Sequence, residues 1–151
     1  MKIIICAGER LENGWTTHDV QDLPNIDIVC DFWDLPKRLT EQAEEARFTH
    51  ALEHFPMKDS VRVLRAIRDM LLPGASLYVE VPNFYWHAEQ IIANPHNRQI
   101  VEYAFGGQLN EWDYHYNGFT PEILEEDLRQ AGFEVQSLAP NSSIECMAIR
   151  I

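Results

Sequence analysis

Asp19 and Asp31 are isolated acids that follow separate expected strands, and their chemistry and placement suit them to holding a ligand. A carboxylate only accepts hydrogen bonds, so it matches the paired hydroxyls of a ribose or the amino group of an adenine. Either acid alone is equally well explained as the cap of a helix or loop; the pair carries more weight. A second pattern, His50-Ala51-Leu52-Glu53-His54, has the form H-x-x-E-H, in which two histidines bind zinc beside a glutamate base. That chemistry needs a stable helix to bring both histidines onto one face. Arg47-Phe48-Thr49 before it is strand-like and Pro56 follows closely, so little room remains for a helix. Zinc hydrolysis through His50, Glu53 and His54 is therefore a remote alternative, and no metal is assigned. His87, His96 and His115 show no ligand spacing. Cys6, Cys30 and Cys146 lie in or beside apolar runs and read as buried free thiols of a reducing cytosol.

The elements that must position these residues alternate between strand and helix. Residues 3–7 form a continuous apolar run, as in a strand buried on both faces. Further strands are expected at 15–20, 26–32, 47–50 and 76–81, with a weak helix over 36–45. Val63, Leu64, Ile67, Met70 and Leu71 make an apolar stripe at helical spacing after Asp59 or Ser60, and Pro73-Gly74 stops it. Residues 84–93 look helical until Asn94-Pro95, and 105–118 read as an irregular, aromatic-rich loop. Thr120, Pro121 and Gly132 punctuate a last helix. Two final runs, 133–138 and 144–151, are joined by five residues, which permits only an antiparallel hairpin. The sum is an α/β fold with a mostly parallel sheet and a C-terminal antiparallel hairpin, a single domain over residues 1–151.

Asp and Glu total 24 against 12 Lys and Arg, a formal charge of −12. That balance argues against a nucleic-acid partner, which needs clustered bases, and against docking on an anionic membrane. No apolar run approaches the ~20 residues that span a bilayer, and Glu9 and Arg10 interrupt the first run too early for a signal peptide. A cytoplasmic, acidic protein with a small-molecule partner is expected.

In an open parallel sheet ligands bind outside the carboxyl ends of the strands. The residues at those ends carry a family likeness. Ile3-Ile4-Ile5-Cys6-Ala7-Gly8-Glu9, followed by Gly14-Trp15-Thr16-Thr17-His18-Asp19-Val20, resembles the opening of class I S-adenosylmethionine-dependent methyltransferases. Ala51-Leu52-Glu53-His54-Phe55 is similar to the segment after their fourth strand. Residues 63–75, 78–83, 105–107, 118–121 and 128–133 resemble the later segments in the right order. The resemblance implies a three-layer Rossmann-like fold that binds S-adenosylmethionine at the carboxyl edge of a seven-stranded sheet. By position, it puts Ala7, Gly8 and Glu9 near the methionine moiety, Asp19 at the ribose and Asp31 with Phe32 at the adenine. His50 and Ala51 would floor the pocket. Methyl transfer needs alignment and a dry cavity, plus a base only where the acceptor holds its proton. His54, Tyr85 and His115 are the candidates for that base.

The chain also departs from the pattern. Cys6-Ala7-Gly8 keeps only the last glycine of the usual Gly-x-Gly turn. The span from Ala7 to Trp15 is too short for a crossover helix, and no helix precedes the first strand. An N-terminally reduced domain with a wide mouth and weak or lost cofactor binding is expected. Trp86, Trp112, Tyr114, Tyr116 and Phe119 have three readings: an acceptor pocket or lid, packing of the loop, or a homodimer contact. Methyl transfer to an unidentified small molecule is the first functional reading. The alternative is a methyltransferase-like binding or accessory protein without catalysis.

Overall fold

Ile3, Ile4 and Ile5 are all buried, so the first strand lies covered on both faces, as its unbroken apolar run demands. Residues 1–151 are all described by a computed structural model. The first strand, β1 (Lys2–Ile5), pairs in parallel with β2 (Thr16–Asp19) on one side and β4 (Ala43–Thr49) on the other. β3 (Ile28–Val29) pairs with β2, and β5 (Leu71–Pro82) with β4, again in parallel. β6 (Phe133–Pro140) and β7 (Ser143–Arg150) form the expected antiparallel hairpin, with β7 inserted beside β5. The sheet order is β3-β2-β1-β4-β5-β7-β6, so the strand order reverses at β1/β4. Five helices accompany it: α1 (Leu35–Arg38), α2 (Ser60–Met70), α3 (Phe84–Ala93), α4 (Arg98–Phe105) and α5 (Pro121–Ala131).

The sheet's two faces differ. Ala46, Phe48, Leu77, Val79 and Ala148 join one core with Val63, Leu64 and Ile67 of α2 and Leu124 and Leu128 of α5. The alternate positions of β4 and β5 carry Glu45, Arg47, Tyr78 and Glu80, which stay half-exposed. Near them Ile4, Ala7 and Trp15 make a small second cluster. The Arg47 guanidinium lies over the Trp15 ring at 4.4 Å and pairs with Glu12. Loops 6–15 and 20–27 make the first two crossovers with no helix, as the short spacing requires.

Several boundaries move. The helix expected over 36–45 contracts to Leu35–Arg38, because Ala43–Thr49 extends as β4 beside Leu71 and Ser76–Glu80. The third strand shrinks to two residues, since Asp31 turns the chain by accepting the Trp33 N–H at 2.9 Å. α2 ends at Met70, before Pro73-Gly74, and the chain enters β5 at once. α4 lies where no helix is expected; the Asn97 side chain caps it through the Gln99 N–H. The hairpin connection narrows to Asn141-Ser142. Thr120, Pro121 and Gly132 delimit α5 as expected.

Candidate functional site

The carboxyl ends of β1, β2 and β3 are tied together by polar groups whose roles follow from their partners. The Cys6 N–H faces His18 Nδ1 at 3.3 Å, so that nitrogen accepts. His18 Nε2 therefore carries the proton and donates to the Cys30 carbonyl at 3.1 Å. His18 is fully buried, and burial holds its pKa below the ordinary imidazole value, against the pull of the Cys30 carbonyl, Asp19 and Asp31. The turn after β1 puts Cys6 at φ 53 and Gly8 at φ 58. A residue with a Cβ thus occupies the left-handed conformation where a glycine was expected. Burial, reinforced by Asp19, pushes the Cys6 thiol up, so it is not poised as a nucleophile.

Asp19 closes this turn. Its Oδ2 accepts the Gly8 N–H at 2.8 Å and its Oδ1 accepts the Gln21 N–H at 2.9 Å. Asn25 Nδ2 donates to the carbonyls of Gly8 at 2.9 Å and Arg10 at 3.0 Å, fixing the turn from the other side. Asp31 caps the single turn Phe32–Asp34 through Oδ1 and keeps Oδ2 uncommitted. Phe32 packs edge-on against Trp33 and Phe55, with centroids at 5.0 and 5.1 Å.

These groups border a cavity of about 400 Å³, within the range of roughly 300–1,000 Å³ usual for small-ligand sites. Gly8, Asp19, Asp31, Phe32, His50 and Ala51 line it together with His54. Ala7 does not: it is buried against Ile4 and Trp15. Glu9 is exposed outside the lining. Tyr85 borders a separate depression with Asn83, Trp86 and Pro140, so it stands apart from the other candidates. Cys6, Trp33 and Phe55 line the cavity without having been expected there. Of the aromatic candidates, Trp112 and Tyr116 reach its rim, whereas Phe119 is fully buried in the core.

The H-x-x-E-H segment forms no helix that could hold two histidines on one face. His50 is at φ 49 and only Leu52–His54 make a single tight turn. His50 instead bridges two acids, with Nε2 3.1 Å from Glu80 Oε1 and Nδ1 3.5 Å from Glu53 Oε1. Its pKa is raised, chiefly by Glu53, with burial acting against this. The zinc-hydrolase arrangement of His50, Glu53 and His54 is therefore not the one formed. His115, which shows no ligand spacing in sequence, stands beside His54 with ring centroids 4.9 Å apart. The loop that carries it docks on the same turn: the Glu53 carbonyl accepts the N–H groups of Tyr116 at 2.8 Å and Asn117 at 3.1 Å. No local pattern joins residues 53 and 115, so only the loop's aromatic content hinted at this contact.

A family model described as a methyltransferase domain matches residues 13–138, most of the chain. The chain belongs to the methyltransferase-domain family. This domain is similar in fold to a SAM-dependent methyltransferase from Methanosarcina mazei, with a TM-score of 0.67 at 14% identity, covering 99% of this chain and 92% of that one. It also resembles an O-methyltransferase family protein from Burkholderia thailandensis, with a TM-score of 0.63 at 12% identity. There it covers 99% of this chain but only 50% of that one, so this methyltransferase domain spans about half of that relative's length. A third likeness is to the Burkholderia thailandensis 1,6-didemethyltoxoflavin-N1-methyltransferase, solved with 1,6-didemethyltoxoflavin and S-adenosylhomocysteine. Its TM-score is 0.62 at 15% identity, with 99% of this chain and 70% of that one covered. Among curated proteins the methyltransferase domain finds no match. The expected fold class, a mostly parallel sheet ending in an antiparallel hairpin, is the one observed.

Proposed function

We propose that this domain transfers the methyl group of S-adenosylmethionine to a small-molecule acceptor at the cavity beside β1, β2 and β4. The observation that carries this reading is the convergence of Gly8, Asp19, Asp31 and Phe32, drawn from the ends of three strands, on one cavity at the point where strand order reverses. The residues fit a nucleoside. Asp31 Oδ2 has no internal partner, and each Asp19 oxygen retains a second lone pair beyond its backbone bond. Phe32 and Ala51 add apolar surface to the same lining.

In this reading Asp19 accepts from the ribose hydroxyls and Asp31 from the adenine amino group, while Phe32 excludes water from the base. His50 and Ala51 floor the cavity. The turn at Cys6-Ala7-Gly8, held rigid by Asp19 and Asn25, orients the methionine end, and Glu9 flanks it in solvent. The cofactor supplies an electrophilic sulfonium methyl; the protein's task is to align an acceptor in line with it and keep the cavity dry. His54 lines the cavity near Trp112 and Tyr116 and is better placed than Tyr85 to meet an acceptor proton.

One feature favours a second reading, an accessory protein without turnover: the Cβ of Cys6 stands where the family's turn has a glycine. Ultraviolet crosslinking of radiolabelled S-adenosylmethionine separates the two. Methyl transfer predicts label in the peptide holding Phe32 and Trp33, competed away by S-adenosylhomocysteine. No label at millimolar cofactor would favour the accessory reading.

A further inference from the structure

Glu53 is 1% exposed, and both of its carboxylate oxygens are buried without a hydrogen bond. Burying a carboxylate this way is costly unless a cation or several donors face it. The nearest positive group is His50, whose Nδ1 stands 3.5 Å from Oε1 while its Nε2 meets Glu80; Oε2 has no ionic partner. Two imidazoles complete the surroundings. One donor atom from each of Glu53, His54 and His115 lies within 4.8 Å of the other two. Three donors bound at about 2.0–2.2 Å to one ion stand about 3.3–3.8 Å from one another, so side-chain shifts of about an ångström close the set.

We infer that Glu53, His54 and His115 form a binding site for a divalent first-row transition ion. One carboxylate with two imidazoles is a donor set that such ions favour over calcium or magnesium, which prefer oxygen alone. The site is prepared in the way metal sites are. His54 Nδ1 lies 3.0 Å from the Tyr114 carbonyl, which can only accept. That fixes the tautomer and leaves Nε2 with its lone pair for an ion. The His115 loop is clamped to the Glu53 turn by the Tyr116 and Asn117 N–H groups, and the His115 N–H is held by the Phe105 carbonyl at 3.0 Å. Both segments are thus positioned by backbone bonds rather than by the ligands themselves.

Three protein ligands leave coordination positions open, and His54 borders the cavity. On the methyl-transfer reading, which this last step alone rests on, the acceptor is an oxygen compound, a hydroxyl or carboxylate held by the ion. The ion would take the place of a side-chain base in orienting that oxygen.

The test uses the full chain, stripped with a chelator and then titrated with cobalt(II), zinc(II) and magnesium(II) without cofactor. One equivalent of cobalt(II) should bind and show d–d absorption, zinc should displace it, and magnesium should not. Glu53→Gln and His115→Phe should each weaken cobalt binding by about tenfold or more. Should either variant fail to fold, thermal unfolding of the wild type decides, because a bound ion raises its midpoint in proportion to the logarithm of free metal. Absence of saturable binding at millimolar cobalt or zinc would overturn the site, as would binding that both folded variants retain. S-adenosylhomocysteine titrated into the same stripped protein reports on the methyl-transfer reading separately. Metal bound without the nucleoside would leave the site standing and remove only the acceptor class.

Discussion

Asp19 holds the Gly8 and Gln21 N–H groups and faces the cavity, so it serves structure and ligand together. Asp31 is different: one oxygen caps a turn and the other is uncommitted. The two therefore separate by mutation. Asp19→Ala should cost about 1–3 kcal/mol in urea unfolding, because two backbone donors lose their acceptors. Asp31→Asn keeps a capping oxygen and should change stability by less than about 0.5 kcal/mol. It should nonetheless weaken S-adenosylhomocysteine binding about tenfold; unchanged affinity would remove Asp31 from the site. His18 gives a pH dependence. Its folded pKa lies below its ordinary value of 6.5, so the unfolded chain takes up the proton first. The stability it contributes is full above pH 6.5 and is lost as pH falls from there through the folded value. Denaturation midpoints measured from neutral to mildly acidic pH should fall, and imidazole NMR should find His18 neutral after exposed histidines have charged. Both acids were legible in the sequence because each stands at the carboxyl end of an expected strand. His115 was named as a candidate base, but its place beside His54 was not readable, because its partners sit in a distant segment and no local spacing encodes a contact made by loop docking.

At the scale of elements, legibility followed the strength of the punctuation. Thr120, Pro121 and Gly132 each act on their own few backbone groups, so α5 was readable to the residue. β4 was misjudged at its start because Glu44 and Glu45 look helical, whereas pairing with β5 holds Ala43–Thr49 extended. Tertiary hydrogen bonding overrode local preference there. The loop between α4 and α5 rests on Gly106, which is at φ 80, and a Cβ there would collide with the Asp113 backbone. Gly106→Ala should therefore displace this loop while sparing the sheet. Limited proteolysis should cut residues 106–118 faster, with little change in the global unfolding midpoint. Equal cleavage of variant and wild type would mean that the loop is held by other contacts.

The whole molecule pairs a well-covered face with a sparer one. α2 and α5 bury one side of the sheet, whereas the opposite side presents Glu45, Arg47, Tyr78 and Glu80. Burial, with Glu80 and Glu145 nearby, pushes the Tyr78 hydroxyl up to about 12, so this face changes no charge there near neutrality. A net charge of −12 opposes compaction, and isolated surface ion pairs contribute only about 0–1 kcal/mol each. Repulsion outweighs them, so sodium chloride raised to about 0.5 M should increase the thermal midpoint; a fall would show that the ion pairs dominate. The acid excess was plain in the composition. The first bare crossover was plain in its loop length, but the polar character of one sheet face emerged only once register assigned alternate residues to it. On the proposed function, the cavity at the strand-order reversal holds a nucleoside between Asp19 and Asp31. Calorimetric titration of S-adenosylhomocysteine into the purified chain tests it most directly. One saturable site per chain, weakened about tenfold by Asp31→Asn, is the predicted result; no heat and no saturation at millimolar ligand would contradict it.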